Sequence, residues 1–212
     1  MQFNPDIVIS ILNSFNNDLR QHSYNVCYLS VLIAEHVGYS QNQIATLAIG
    51  ALLHDIGKSC IDEALLNKPG SLTKKEFAII KSHTVLGAKM IENFEESKVY
   101  LPIILYHHER WDGGGYEGLA QHKIPELARI VTIADAFDAM TSYRPYQQPK
   151  TLMQALKELN KNKGTQFAPY LVEAFESCIL KSIKNPCNFK KLYKYLNDQI
   201  INQKCKLKEV TS

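Results

Sequence analysis

Five imidazoles and several carboxylates stand where an apolar helix face or a helix end would ordinarily carry something else. His22 precedes Val26 and Leu29 by four and seven residues, so it shares their helical face. His83 follows Phe77 and Ile80 by six and three residues and points inward by the same count. His54 and Asp55 end the apolar run IATLAIGALL, and His107 and His108 close another apolar run. Asp135 lies inside RIVTIADAFDAM, with Asp138 one turn further on. Taken alone, His22 and His83 read more readily as core residues hydrogen-bonded to a neighbour, and Asp135 reads equally well as a helix carboxylate bonded to one. Taken together they do not, because five of the seven histidines, all except His36 and His122, occupy inward or helix-end positions. An unpaired buried carboxylate is costly, and a cation would offset that cost.

Neighbouring residues on a helix point about 100° apart. Each of the pairs His54–Asp55 and His107–His108 can therefore serve two adjacent metals, or one metal and its bridge. No thiolate set competes: Cys27, Cys60, Cys178, Cys187 and Cys205 form no CxxC pair or other metal-type spacing. Four or five imidazoles with one or two carboxylates suit first-row divalent metals and lean towards iron or manganese rather than structural zinc. Two metals about 3.5–4 Å apart can share a bridging carboxylate and a bridging hydroxide, acidify that water and clamp both oxygens of a phosphoryl displacement. Hydrolysis of a phosphate ester is the natural use.

Helices must deliver these groups. Residues 6–36 read as one long periodic segment ending near Gly38, and residues 41–54 as a second. Thr73 and Glu76 form a capping-box signature for a helix that runs on through Phe77, Ile80 and His83. Pro102 suits a first turn, which predicts a helix over 103–108 stopped by the following glycines. Ile124 and Pro125 open another that reaches Met140, and segments 152–159 and 169–180 complete the body. With no alternating strand-like run and no internal repeat, the fold class is all-α.

The 212 residues, 45% of them hydrophobic, can supply one substantial core. No apolar run approaches the roughly 18–20 residues that span a bilayer, and the opening MQFNPD lacks the parts of a signal peptide, so a cytoplasmic protein without a transmembrane segment is expected. The net charge of +3 is uneven: from Lys181 to Ser212 eight lysines face Asp198 and Glu209, a local +6 that leaves the rest near −3. The expected division is a catalytic domain over residues 1–182 and a basic helical tail over 183–212, with Phe189, Leu192, Tyr193 and Leu196 on one side. A solvated amphipathic helix suits this tail better than a nucleic-acid or membrane-binding arm, and no nucleic-acid polymer is expected as a partner.

Seven stretches in order carry a family likeness. They are HS at His22, LLHDIGK at Leu52 to Lys58, LLNKPGSLT at Leu65 to Thr73, KSHTVLGA at Lys81 to Ala88, HHERWDGGGYEGL from His107, IPELARIVTIADAFDAMTSYRPY from Ile124, and GTQF at Gly164 to Phe167. The chain resembles the HD-GYP family of bacterial cyclic di-GMP phosphodiesterases, a branch of the HD hydrolase superfamily, from about residue 10 to 180. The resemblance implies an HD-domain helical bundle and an intracellular enzyme that opens cyclic di-GMP to pGpG or takes it on to GMP. It implies His22, His54, Asp55, His83, His107, His108 and Asp135 as ligands of two divalent metals, with Asp55 as their bridge. Lys58 matches the lysine beside the attacking water, where an ammonium can stabilise developing phosphate charge or assist proton transfer. Arg144 matches a substrate-phosphate contact and Tyr116 the tyrosine of the signature near the substrate; Arg110 organises the loop or the site. Some members bind a third metal through a glutamate four residues before the first histidine. Asp18 stands there, one methylene shorter, as a third-metal ligand, a partner orienting His22 or a surface acid.

Three positions depart from the pattern. The signature would place proline at 117, which would hold Tyr116 in place. Glu117 removes that restraint and adds charge near a phosphate-binding loop, unless its side chain simply meets solvent. Gln147 replaces a basic residue and would remove a phosphate contact, and Ala168 replaces an aspartate, a helix-cap change. Two other readings stand beside the leading one. The chain could be a degenerate relative that binds nucleotide or a protein partner as a sensor, or a hydrolase of another cyclic dinucleotide such as cyclic GMP-AMP. At 212 residues it leaves no room for the receiver or sensory domain common in the family, so regulation is expected from the tail, a partner protein, a homodimer or a region beyond this sequence.

Overall fold

A computed structural model describes residues 5–143 and 148–184, so Arg144, Gln147 and the proposed tail helix lie outside the described residues. Among the described residues ten helices follow in order: α1 (Pro5–Ser14), α2 (Asn17–Val37), α3 (Gln41–Leu53), α4 (Glu63–Leu66), α5 (Lys74–Lys81), α6 (His83–Ile91), α7 (Leu101–Tyr106), α8 (Glu126–Thr141), α9 (Leu152–Lys161) and α10 (Pro169–Lys184). Short 3-10 turns occupy Ile56–Cys60, Glu95–Val99 and Gln121–Lys123. There is no strand among the described residues, only an isolated bridge between Lys163 and Phe167. The all-α expectation holds. No helix among the described residues is long and apolar enough to cross a membrane.

The predicted capping box forms as read: the Thr73 side chain accepts from the Glu76 N–H while Glu76 accepts from the Thr73 N–H. Two expected helices are each broken in two. Residues 6–36 divide because Asn16 adopts an extended backbone and its side chain accepts from the Leu19 N–H, starting α2 afresh. A short polar side chain that can cap a helix competes with the helix that would run through it. The segment through His83 divides at Ser82, whose hydroxyl donates to the Ile79 carbonyl while the His83 ring takes the Ile80 carbonyl. α7 stops at Tyr106, with His107 as its C-cap, so His108 lies beyond the helix.

Two apolar clusters organise these elements. The larger joins Val26, Leu29 and Ile33 of α2 to Leu47 and Ala51 of α3, Ile130 and Phe137 of α8, Leu159 of α9 and Phe175 of α10. The smaller packs Val8, Leu12 and Phe15 on Leu53, Ile56, Ile91 and Ile104. α3 supplies Ala51 to one and Leu53 to the other, and α7 divides Ile103 and Ile104 in the same way. Both helices therefore end at the seam between the clusters. The turn after α3 is pressed on α6: a Cβ on Gly57 would lie 2.0 Å from the His83 carbonyl oxygen and 2.5 Å from the Gly87 nitrogen. Only glycine permits that approach, and it fixes Asp55 and Lys58 beside His83.

Candidate metal centre

The same local device sets three of the imidazoles. His54 Nδ1 lies 2.7 Å from the Ala51 carbonyl oxygen, His83 Nδ1 2.7 Å from that of Ile80, and His107 Nδ1 3.0 Å from that of Ile104. Each acceptor is three residues back, in the last turn of the preceding helix, where carbonyls lack the regular intrahelical bond. A carbonyl can only accept, so each Nδ1 carries the hydrogen, and in the neutral ring each Nε2 presents a lone pair to the centre. At the break after α5 the Ile80 carbonyl takes both a capping backbone N–H and the His83 ring.

His22, from α2, is oriented by a carboxylate instead. Its Nδ1 lies 2.7 Å from Asp138 Oδ2, and Asp138 Oδ1 accepts from Asn25 Nδ2 at 2.8 Å and from the Ser142 hydroxyl at 2.9 Å. That leaves His22 Nε2 turned to Asp135 Oδ1 at 3.2 Å and to Asp55 Oδ2 at 3.5 Å. α8 is tied to the other side of the site by Thr132, whose hydroxyl donates to the His107 carbonyl at 2.7 Å.

These donors fall into two groups, Asp55, His83, His107 and His108 in one, and His22, His54 and Asp135 in the other. Asp55 is buried between them. Its Oδ1 faces His83 Nε2 at 3.2 Å and His107 Nε2 at 3.8 Å, while its Oδ2 faces His54 Nε2 at 3.3 Å and takes the Lys58 ammonium at 2.5 Å. Asp55 Oδ1 is buried without a hydrogen-bond donor. Its close neighbours are ring nitrogens that also offer lone pairs, and His83 Nε2 and His107 Nε2 themselves lie only 3.3 Å apart. Lys58 reaches only Oδ2, so on the Oδ1 side buried acceptors face one another with no donor between them, a repulsion that a cation would relieve. The nitrogen and oxygen donor set fits a divalent metal of the first transition row.

Protonation follows the same division. Burial, reinforced by the neighbouring imidazoles, holds His107 well below the usual histidine range, and burial pushes His108 down to about 4. At His22 burial opposes a proton, but Asp135, Asp138 and Asp55 outweigh it and raise the ring well above its ordinary value. At Asp55 burial is overcome by Lys58 and His54, and at Asp135 by His22, so both carboxyls are held well below the carboxylate range.

Beside His108 opens a cavity of about 330 Å³ lined by Phe77, Lys81, Arg110, Gly114, Gly115, Tyr116 and Gln166. The Tyr116 ring lies 4.7 Å from that of His108 and meets Phe77 edge to face at 6.0 Å. Arg110 lines this cavity, and its guanidinium is engaged by Asp112 of the same loop at 3.0 and 2.7 Å. Asp18 is exposed on the first turn of α2 and belongs to neither donor group. His36 and His122 also stand apart, His122 against the Trp111 ring. Sequence reasoning passed over the orienting partners Asn25 and Thr132, and over the buried Glu109, which accepts from the N–H groups of Glu117 and Leu119 at 2.6 and 2.7 Å. The signal available for Glu109 was a carboxylate directly after two inward histidines.

Residues 6–171 match the HD domain family. The chain is 42% identical over 175 residues to a cyclic di-GMP phosphodiesterase of Thermotoga maritima, across 79% of this chain and 48% of that protein. It is 33% identical over 174 residues to a 3'3'-cGAMP-specific phosphodiesterase of Vibrio cholerae, across 79% of this chain and 33% of that one. Among solved structures it resembles an HDG"Y"P protein from Bdellovibrio bacteriovorus, with a TM-score of 0.63 and 26% identity over 84% of this chain and 58% of that one. The chain spans about half the length, or less, of these curated relatives.

Proposed function

The chain belongs to the HD domain family and, within it, to the HD-GYP proteins, and from that membership we propose that it is a metal-dependent phosphodiesterase that hydrolyses cyclic di-GMP to pGpG or GMP. The observation that carries this is Asp55: one carboxylate whose two oxygens face two separate sets of imidazole nitrogens. That arrangement suits a pair of divalent cations, iron or manganese, held by His22, His54 and Asp135 on one side and His83, His107 and His108 on the other, with Asp55 between. Bound there, the cations would supply Lewis acidity to a phosphoryl oxygen and make a water nucleophilic at neutral pH.

The protein's own groups then have distinct tasks. Asp55 and the fixed imidazoles set the place of attack. Lys58, partly buried and 2.5 Å from Asp55 Oδ2, keeps an ammonium where negative charge grows on the phosphoryl group. Tyr116 and the cavity beside His108 receive a base or ribose of the substrate, and Asp138 holds the His22 ring in its working orientation. Similarity to both cyclic di-GMP and cyclic GMP-AMP phosphodiesterases supports a cyclic dinucleotide as the substrate class. The test is to incubate iron- or manganese-loaded protein anaerobically with each dinucleotide and separate products by chromatography, with Asp55→Ala as control. Linear product from cyclic di-GMP above that control supports the reading; equal traces from wild type and Asp55→Ala overturn it in favour of a nucleotide sensor.

A further inference from the structure

We propose that Glu109 is a positioning residue that straps the glycine loop down over itself and thereby places Tyr116, with Lys81 holding the same loop from outside; this rests on reading Tyr116 as a substrate contact. Glu109 follows His108 directly and is 1% exposed. Its Oε1 accepts the Glu117 N–H and its Oε2 the Leu119 N–H, so both oxygens grip main chain on the far side of Tyr116. From the other direction the Lys81 ammonium donates to the Tyr116 carbonyl. The same ammonium lies 3.6 Å from the Glu117 carboxylate and 5.4 Å from the centre of the Tyr116 ring.

The loop can lie this low because residue 115 is glycine. A Cβ there would stand 2.6 Å from Glu109 Cα and 2.7 Å from the Arg110 nitrogen. Residues 115–119 are thus drawn onto the residue next to His108, and the Tyr116 ring comes to rest against the His108 ring. One short stretch therefore carries both a donor of the metal centre and the anchor of the substrate loop. Residue 117 takes part through its main chain. A proline there would stiffen the backbone but has no N–H to give Glu109, so the loss of proline leaves this loop held by hydrogen bonds instead.

Hydrogen exchange read by mass spectrometry on the peptide around 112–121 tests the strap without reference to activity, with bound metal counted in parallel. Glu109→Gln replaces one accepting oxygen by an NH₂ group that faces an N–H. We expect the Glu117 and Leu119 amides to exchange about tenfold faster or more, the size set by hydrogen bonds to a charged acceptor, with bound metal unchanged. Glu117→Pro should release Leu119 likewise, whereas Glu117→Gln, which keeps the N–H, retains the protection. Unchanged exchange in Glu109→Gln, or metal lost together with protection, overturns the proposal. Should Glu109→Gln not fold, Glu117→Pro and Lys81→Met decide by the same measure. With an active wild type, Glu109→Gln should raise KM about tenfold while kcat moves less than about threefold; equal falls in kcat and kcat/KM reject the positioning role. An inactive wild type would reject the phosphodiesterase reading and leave the exchange result to judge the strap.

Discussion

Asp138 decides which nitrogen of His22 faces the centre, and Asp138→Asn should expose that dependence. Three donors converge on its carboxylate: His22 Nδ1–H at 2.7 Å, Asn25 Nδ2 at 2.8 Å and the Ser142 hydroxyl at 2.9 Å. An asparagine offers one oxygen and one NH₂ group. Turned with the NH₂ to His22, it makes Nδ1 an acceptor and moves the ring hydrogen to Nε2, the atom 3.2 Å from Asp135 Oδ1. That nitrogen then has no lone pair for a cation. Turned the other way, the NH₂ opposes the amide of Asn25 and the hydroxyl of Ser142. Either way a hydrogen bond to a charged group is lost, worth about 1.5–3 kcal/mol, and the affinity of the His22, His54 and Asp135 set should fall about 10- to 100-fold. Competition against a chelator of known affinity would show wild type and variant agreeing within about threefold for the Asp55, His83, His107 and His108 set, where no partner has changed. Equal affinities at both sets, or equal losses at both, would refute the reasoning, because the first denies the tautomer argument and the second makes Asp138 a general support of the fold.

Lys58→Met should slow the chemical step about 10²- to 10³-fold with metal content retained; single-turnover rates and metal analysis check it, and loss of metal instead would assign Lys58 to holding Asp55. Gly57→Ala forces a Cβ to within 2.0 Å of the His83 carbonyl oxygen, so the backbone must shift, and the melting temperature should fall by the equivalent of about 1–3 kcal/mol; an unchanged melting curve rejects the close approach. The metal-free protein should lose stability as pH falls from about 6.5 towards about 4. In that window the unfolded chain binds protons that His107 and His108 refuse, both being depressed by burial. His22, raised in the folded state, contributes fully below the unfolded value and loses its effect only as pH rises, while Asp55 and Asp135 lose theirs only below the unfolded carboxylate range. His108→Gln should therefore flatten the pH dependence by about 1.4 kcal/mol per pH unit, read from urea unfolding at several pH values; parallel slopes refute the depressed value.

What was legible in the sequence is what is local. His22 and Asp135 could be placed by counting along one helix, and His54 and His107 by noting that an apolar run stops at each, because helical spacing fixes which side chains share a face; His83 is buried as expected, but the count that placed it crosses the break at Ser82 from Phe77, which is exposed. The two missed breaks are also local in cause, yet a hydroxyl or amide that can either cap a helix or sit within it leaves both outcomes open until the rest packs. Ser82 shows this most clearly, since its own hydroxyl turns back to the Ile79 carbonyl where the helix would continue. Asp138 could be seen one turn from Asp135, but its partner His22 is 116 residues away, a pairing that periodicity cannot supply.

Glu109 and Glu117 mark a different limit. They are eight residues apart, well within the reach of local reasoning, and the sequence still invites the wrong question of Glu117. A departure from proline draws attention to the side chain that arrives, here about half exposed and paired only loosely with Lys81. The structure uses instead what proline lacks, the N–H, and gives it to a buried carboxylate that must find donors or be costly. Glu109 is thus explained by the loop and the loop by Glu109: a buried acid beside two imidazoles is tolerable because main-chain donors fold onto it, and they can fold onto it because position 115 has no side chain and position 117 has a hydrogen.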